Sequence, residues 1–192
     1  MLTMSSNQPL YYEQMLVLID AFRAENRTDG GYVRSAMTEV LLRNAQADDG
    51  TDRKLDWFSI ALCRVLAHNA MPGQHEGMPI DPFFVESLDT RFADDYPQLY
   101  RPNLVNFNLN IVLGTWVEPD GLSREEMLVH SLLARAALCC YMIEDICIDS
   151  GRDFDDELES FLSLTVEQHY YLRDNGQDFG DGMELPWHPT LS

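Results

Sequence analysis

The stretch from Ser123 to Asp149 reads SREEMLVHSLLARAALCCYMIEDICID and decides the fold of the chain. Ser123, followed three residues later by Glu126, matches the capping box that begins many helices. No proline or glycine interrupts the stretch, so a single helix can occupy about residues 123–149. Its middle is apolar on nearly all sides, which is typical of a helix with neighbours around it. We therefore predict a mainly α fold, a single-domain helical bundle around this long central helix.

Further helices are predicted on both sides of the central one, because apolar side chains recur there every three or four residues. Three such patterns precede residue 71. Asp81 followed by Pro82 is a typical start of a short fourth helix. After the central helix, Asp153 can cap a last helix that ends around Arg173. The sequence thus predicts helices along most of its length.

The predicted helices form one domain over residues 1–173. The loop at residues 71–82 contains three prolines and two glycines and marks a candidate internal boundary. From residue 174 to 192 the chain is rich in glycine and aspartate and shows no periodicity. We expect this segment to form an extended C-terminal tail.

The segment at residues 104–117 has an ambiguous pattern. Val105, Phe107 and Leu109 alternate with asparagines, and a period of two residues is that of a half-buried strand. The pattern predicts one short strand or hairpin. Asparagine is poor in strands, however, and Leu104, Phe107 and Ile111 also fit one face of a helix. A helix is therefore the alternative.

The composition is strongly acidic. The chain has 192 residues, and 32 acidic side chains against 13 basic ones give a net charge of −19. Such a charge opposes direct binding to nucleic acid phosphates and to anionic membranes, and it favours encounter with a basic protein. The alternative is that the acidity only keeps the protein in solution. Lys54 is the only lysine, and we expect the arginines to form fixed internal ion pairs.

The cellular location is predicted from what the sequence lacks. No basic and apolar leader begins the chain, and no apolar run approaches the ~20 residues that span a bilayer. We therefore expect the protein to be cytoplasmic. Its four cysteines should then be reduced and mostly buried.

Acidic residues are concentrated in the C-terminal third. Residues 144–184 contain thirteen acidic side chains against two arginines, a net charge of −11. Acids in the first turn of the last helix are stabilised by the helix dipole and need no partner. The acids at the end of the central helix lack that explanation, because the dipole is unfavourable for them. We therefore predict a partner-binding surface, with a solvated acidic face as the alternative. Its candidate residues are Asp145, Asp149, Asp153, Asp155, Asp156, Glu157, Glu159, Tyr170 and Tyr171.

An enzymatic alternative uses the same region. Glu144, Asp145 and Asp149 could hold Mg²⁺ in a helical, phosphate-processing hydrolase. The sequence has no glycine-rich phosphate loop and no paired Glu-x-x-Glu motif that would accompany such a site. Its histidines are dispersed, and no cysteine or histidine pairs have the spacing of a zinc site. We predict no catalytic residue, no cofactor and no metal site.

A small, acidic, helical chain with no catalytic constellation resembles in general character the inhibitors that phages and plasmids use against host defence nucleases. Some of those inhibitors imitate nucleic acid. The chain equally resembles immunity proteins that neutralise basic toxins, and both resemblances concern composition alone. They imply a non-enzymatic, anti-CRISPR-like inhibitor that occupies a basic, nucleic-acid-binding surface of another protein. A structural scaffold is a further hypothesis, which predicts a large exposed apolar patch.

Overall fold

The computed structural model describes residues 10–27, 30–46, 51–73, 78–114 and 124–174 of the chain. Seven α-helices and one 3-10 turn make up these ranges. The elements are α1 (Leu10–Ala21), the 3-10 turn (Ala24–Asn26), α2 (Gly30–Gln46), α3 (Thr51–Ala70), α4 (Pro82–Asp95), α5 (Leu104–Val112), α6 (Arg124–Ser150) and α7 (Phe154–Asp174). No strand occurs within the described ranges. The predicted mainly α fold is confirmed.

Helix α6 is the centre of the bundle, as the sequence predicts. Every residue from 131 to 143 is buried, because α1, α3, α4, α5 and α7 all pack against this helix. A helix in that position needs apolar side chains on all faces. The long apolar stretch therefore places α6 at the centre of the fold.

The predicted strand at residues 104–117 is wrong over its described part, because Leu104–Val112 form α5. The side chains that face inward include Leu104, Val105, Asn108, Leu109 and Val112, which is helical spacing. The amides of Asn108 and Asn110 each donate to the carbonyl oxygen four residues earlier, at 2.8 Å. The alternation of apolar residues with asparagine therefore does not indicate a strand, because the asparagine amides bond within the helix.

A buried arginine fixes how three helices meet. Arg135 of α6 is 2% exposed, and its guanidinium donates to Ser59 Oγ at 2.8 Å, to Asn108 Oδ1 at 3.0 Å and to the carboxylate of Asp56. Each branch of the guanidinium thus has a partner on α3 or α5. A buried charge is tolerated when it is paired and hydrogen-bonded in this way.

The helices before and after residues 71–82 share one hydrophobic core. Leu62 and Leu66 of α3 and Leu88 and Phe92 of α4 belong to the same buried cluster. Asp81 caps α4 by accepting a hydrogen bond from the backbone N–H of Phe83 at 3.0 Å. The predicted start of this helix is therefore confirmed. Within the described ranges, none of the helices has the length and apolar content that a bilayer span requires.

Candidate functional site

The candidate acidic surface forms where α6 turns into α7. Gly151 lies between the two helices with φ of +70°, a left-handed conformation that glycine adopts without strain. Asp153 then caps α7, because its Oδ1 accepts a hydrogen bond from the N–H of Asp155 at 2.9 Å. This short connection places the acidic end of α6 beside the acidic first turn of α7.

Glu144 is the most heavily engaged carboxylate in this region. It accepts hydrogen bonds from the guanidinium groups of both Arg27 and Arg91, and from the backbone N–H of Ala24 at 3.2 Å. The two guanidinium carbons lie 4.7 Å and 4.3 Å from the ring centre of Tyr141, within the range of a cation–π contact. Glu144 is therefore a structural residue that joins α6 to α4 and to the segment after α1.

Two of the predicted partner-binding residues are also paired with arginine. Asp145 lies 2.9 Å from Nη1 of Arg91, and Asp155 lies 2.9 Å from Nη1 of Arg23. Asp145 remains more than half exposed, whereas Asp155 is about three-quarters covered. Asp145 thus keeps one side open to solvent, and Asp155 joins α7 to the segment after α1.

Glu157 does not lie on the surface where the sequence places it. It is 5% exposed, lies 3.3 Å from Nη1 of Arg152 and accepts a hydrogen bond from Ser150 Oγ at 3.1 Å. Helix α7 turns this position toward α6, with Leu158 and Phe161 also buried. The prediction that Glu157 contacts a partner is corrected on this ground, since a partner cannot reach the buried carboxylate.

The remaining acids of α7 form an open face. Asp156, Glu159 and Glu167 are exposed, and among the described residues no basic side chain forms an ion pair with them. They line a shallow depression of about 440 Å³ together with Arg152, Ser160, Ser163 and Leu164. We call Asp156, Glu159 and Glu167 the α7 acidic face. Within the described ranges, its negative charge is not compensated by an ion pair.

The other predicted contact residues have separate positions. Asp149 is exposed at the end of α6, and Asp153 is exposed but serves as the α7 cap. The side chains of Tyr170 and Tyr171 lie outside the described part of the chain, as does the tail predicted from residue 174, beyond Asp174 itself. Asp149 and the α7 acidic face therefore lie on successive helices that a short connection at Gly151 joins.

The alternative magnesium site does not form from its proposed ligands. Glu144 and Asp145 are engaged by arginines, and Asp149 points to solvent. Over the described ranges, no group of three or more acidic, histidine or cysteine side chains has an arrangement that could hold a metal ion. Glu144 faces its arginine partners inside the fold, whereas Asp145 and Asp149 are exposed.

The cysteines show no sign of nucleophilic chemistry. Cys63, Cys139 and Cys140 are buried and unbridged. Burial and the neighbouring carboxylate of Glu144 raise the pKa of the Cys140 thiol, so this thiol stays protonated and unreactive. Its position next to Glu144 therefore creates no activated nucleophile.

The arginine partners of the acidic residues could not be located from the sequence. Arg23, Arg27 and Arg91 are separated from their carboxylates by 53 to 132 residues in the chain. The only available signal was the near absence of lysine, which predicts internal ion pairs, and the structure confirms such pairs for these three arginines. Which acids they neutralise depends on how the helices pack.

Comparison of the chain with models of known protein families, with curated proteins and with solved structures gave no match. The candidate site therefore rests on its own geometry.

Proposed function

We propose that this protein is a non-enzymatic inhibitor that binds a basic, nucleic-acid-binding surface of another protein. Its contact surface comprises the α7 acidic face and Asp149 at the end of α6. The observation that carries the proposal is the division of the acids into two groups. Arginines engage Glu144, Asp145, Asp155 and Glu157, whereas Asp149, Asp156, Glu159 and Glu167 stay exposed and unpaired within the described chain.

The division matters because unpaired like charges cost stability. The chain carries a net charge of −19, and an added exposed carboxylate increases its self-repulsion. The acids that join one element of the fold to another are each paired with an arginine. On the α7 acidic face, Asp156 has a favourable position beside the helix dipole, but no basic side chain among the described residues pairs with Glu159 or Glu167. Their unpaired charge supports a role toward an external cation.

The row of acids on α7 has dimensions that suit a basic groove. Asp156 and Glu167 are eleven residues apart in one continuous helix, which corresponds to about 16 Å along its axis. A rigid helix presents these carboxylates with little loss of backbone entropy on binding. Arginine binds carboxylate and phosphate with similar fork geometry, so a surface built for phosphates can accept this row.

A pull-down from a lysate of the source organism at about 50 mM and about 300 mM salt tests the proposal. The bait is the wild-type protein or a triple variant, Asp149→Asn, Asp156→Asn and Glu159→Gln. The matched control carries Glu25→Gln, Glu39→Gln and Asp94→Asn, which changes the net charge equally at exposed acids elsewhere. We expect a nucleic-acid-binding protein to be retained at low salt by the wild type and by the control, but not by the triple variant.

Competition with duplex DNA then separates an inhibitor from a general cation binder. A protein whose nucleic-acid-binding surface is occupied should be released from the bait by excess DNA, because the two compete for one site. Retention that is equal for the triple variant and the control would show that the α7 acidic face is only solvated surface. A partner that stays bound in excess DNA would overturn nucleic acid mimicry.

A further inference from the structure

Ile148 is an apolar side chain that the fold leaves uncovered. It is 79% exposed, although it follows Tyr141 by seven residues and Glu144 by four, and so lies on the same stripe of α6. Tyr141 and Glu144 pack against the arginine of α4 on that stripe. The contact between the two helices therefore ends before it reaches Ile148.

The two helices run in opposite directions at this contact. Arg91 of α4 pairs with Asp145 of α6, and Asp95, one turn later in α4, lies beside Tyr141, one turn earlier in α6. The beginning of α4 is consequently level with the end of α6. Phe83 lies at that beginning and is 80% exposed. The two most exposed large apolar side chains in the described chain thus belong to one end of the α4–α6 pair.

Acidic groups accompany these apolar side chains. Asp145 and Asp149 lie three residues before and one residue after Ile148, and both are exposed. The basic groups described at this contact are Arg91, which is already paired with Glu144 and Asp145, and Arg27, which is already paired with Glu144 and Asp95. We call Phe83, Asp145, Ile148 and Asp149 the α4–α6 edge. It combines exposed apolar surface with excess negative charge.

We propose that the α4–α6 edge docks a basic amphipathic helix of the partner protein, whose apolar side chains cover Ile148 and Phe83 and whose arginines or lysines meet Asp145 and Asp149. This inference rests on the proposed function, since it specifies which part of a basic partner is bound. An apolar anchor surrounded by charge provides affinity through burial and orientation through ion pairs. The three acids of the α7 acidic face alone provide electrostatic attraction but no apolar side chain that a partner could bury.

Charge complementarity selects this occupant over two others. A second copy of the chain would bring an identical acidic edge against the first, and like charges would repel. A membrane surface with anionic lipids would repel the edge for the same reason. A basic amphipathic helix can cover the apolar groups of the α4–α6 edge and pair with its acidic groups. Such helices bind through apolar residues that recur every three or four positions.

Two synthetic peptides of about 18 residues, or five helical turns, test the inference with the full-length protein. Both contain the same leucines, alanines, arginines and lysines. In one the leucines share a helical face, and in the other the order is scrambled so that they do not. Binding is measured by fluorescence anisotropy for the wild type, for Ile148→Ser and for Phe83→Ser. The matched control is Leu42→Ser, at another exposed apolar residue, on α2.

We expect the wild type to bind the amphipathic peptide about tenfold more tightly than the scrambled one. Ile148→Ser and Phe83→Ser should each remove most of that preference, and Leu42→Ser should leave it intact. Equal, salt-sensitive binding of both peptides would overturn the inference and leave the proposed function standing. Failure to bind either peptide at low salt would count against both. Thermal melting of each variant establishes that it is folded.

Discussion

Glu144 and Arg27 form an ion pair across 117 residues of chain, and Arg91 donates to the same carboxylate oxygen. One glutamate thereby joins the C-terminal part of α6, the C-terminal half of α4 and the segment after α1. In the sequence Glu144 is one member of an acidic run, but in the fold its ion pairs hold three segments together. This distinction separates structural acids from those left for a partner.

Glu144→Ala should destabilise the protein by about 2 kcal/mol, because it removes the carboxylate that two partly buried guanidinium groups share. Among the described residues, Arg27 then keeps only Asp95 as an ion-pair partner, and Arg91 keeps only Asp145. Partial exposure of the cluster keeps the loss below that of a fully buried pair. Asp145→Ala, at a more exposed acid that shares Arg91, should cost less than about 1 kcal/mol. Urea unfolding of both variants provides the comparison. Equal losses would show that Glu144 is no more important than a surface acid.

Arg135→Ala should be strongly destabilising. It removes a hydrogen-bond partner of Asp56, Ser59 and Asn108 at once. Because water can reach the Asp56 carboxylate, which is 35% exposed, we expect a loss of about 2–4 kcal/mol, below that of a fully buried pair. Arg34→Ala, at an exposed position of α2, should change stability by less than about 0.5 kcal/mol. Calorimetry of the two variants measures the difference. A small effect at Arg135 would mean that water replaces the guanidinium.

Gly151→Ala should cost about 1 kcal/mol through backbone conformation alone. The position has φ of +70°, and no atom lies within 4 Å of where the new methyl group would stand. Gly151→Asn should be milder, since asparagine tolerates the left-handed region. Thermal unfolding of the two variants distinguishes strain from a clash. A similar loss for both would show that something other than the left-handed φ limits the turn.

Stability should fall as the pH rises from about 10 to about 12, in part through Tyr96. Burial raises the pKa of this tyrosine from 10.0 to about 12, so the folded protein holds the hydroxyl proton at pH values where the unfolded chain has lost it. The stabilisation is complete below pH 10 and disappears as the pH passes the folded pKa. Tyr96→Phe should show a shallower decline in urea titrations over this range. An unchanged slope would exclude Tyr96 as a source.

Asp156→Asn combined with Glu159→Gln should change stability by less than about 0.5 kcal/mol at low salt, because the lost interaction of Asp156 with the α7 dipole offsets the gain from reduced repulsion. Neither carboxylate has an ion-pair partner among the described residues, and their removal reduces self-repulsion. Melting temperatures at low and high salt, compared with Glu25→Gln and Glu39→Gln, provide the test. A marked loss of stability would show that the α7 acidic face serves the fold.

The sequence predicts the central helix well because a helix buried on all sides needs a long segment without proline or glycine whose middle is mostly apolar, and residues 123–149 provide one. It predicts a strand at residues 104–112, where the structure has a helix. The apolar residues there fit both the two-residue period of a strand and the spacing of a helical face. Packing against α3 and α6 selects the helical period, because it brings Asn108 to the position where its Oδ1 accepts a hydrogen bond from Arg135. A hydrogen bond to a residue 27 positions away leaves no local pattern.

The sequence by itself determined the helical class, the central position of α6, the excess of negative charge and its concentration after residue 144. Those properties depend on local periodicity and composition, which the chain carries with it. Only the tertiary structure decided that Glu144 and Glu157 are engaged inside the fold and that Ile148 is exposed. It also decided that Asp156 and Glu159 have no ion-pair partner in the part of the chain that is described. The physical reason is that an ion pair or a buried face requires two groups that packing brings together. Where those groups are far apart in the chain, no local sequence pattern indicates their contact.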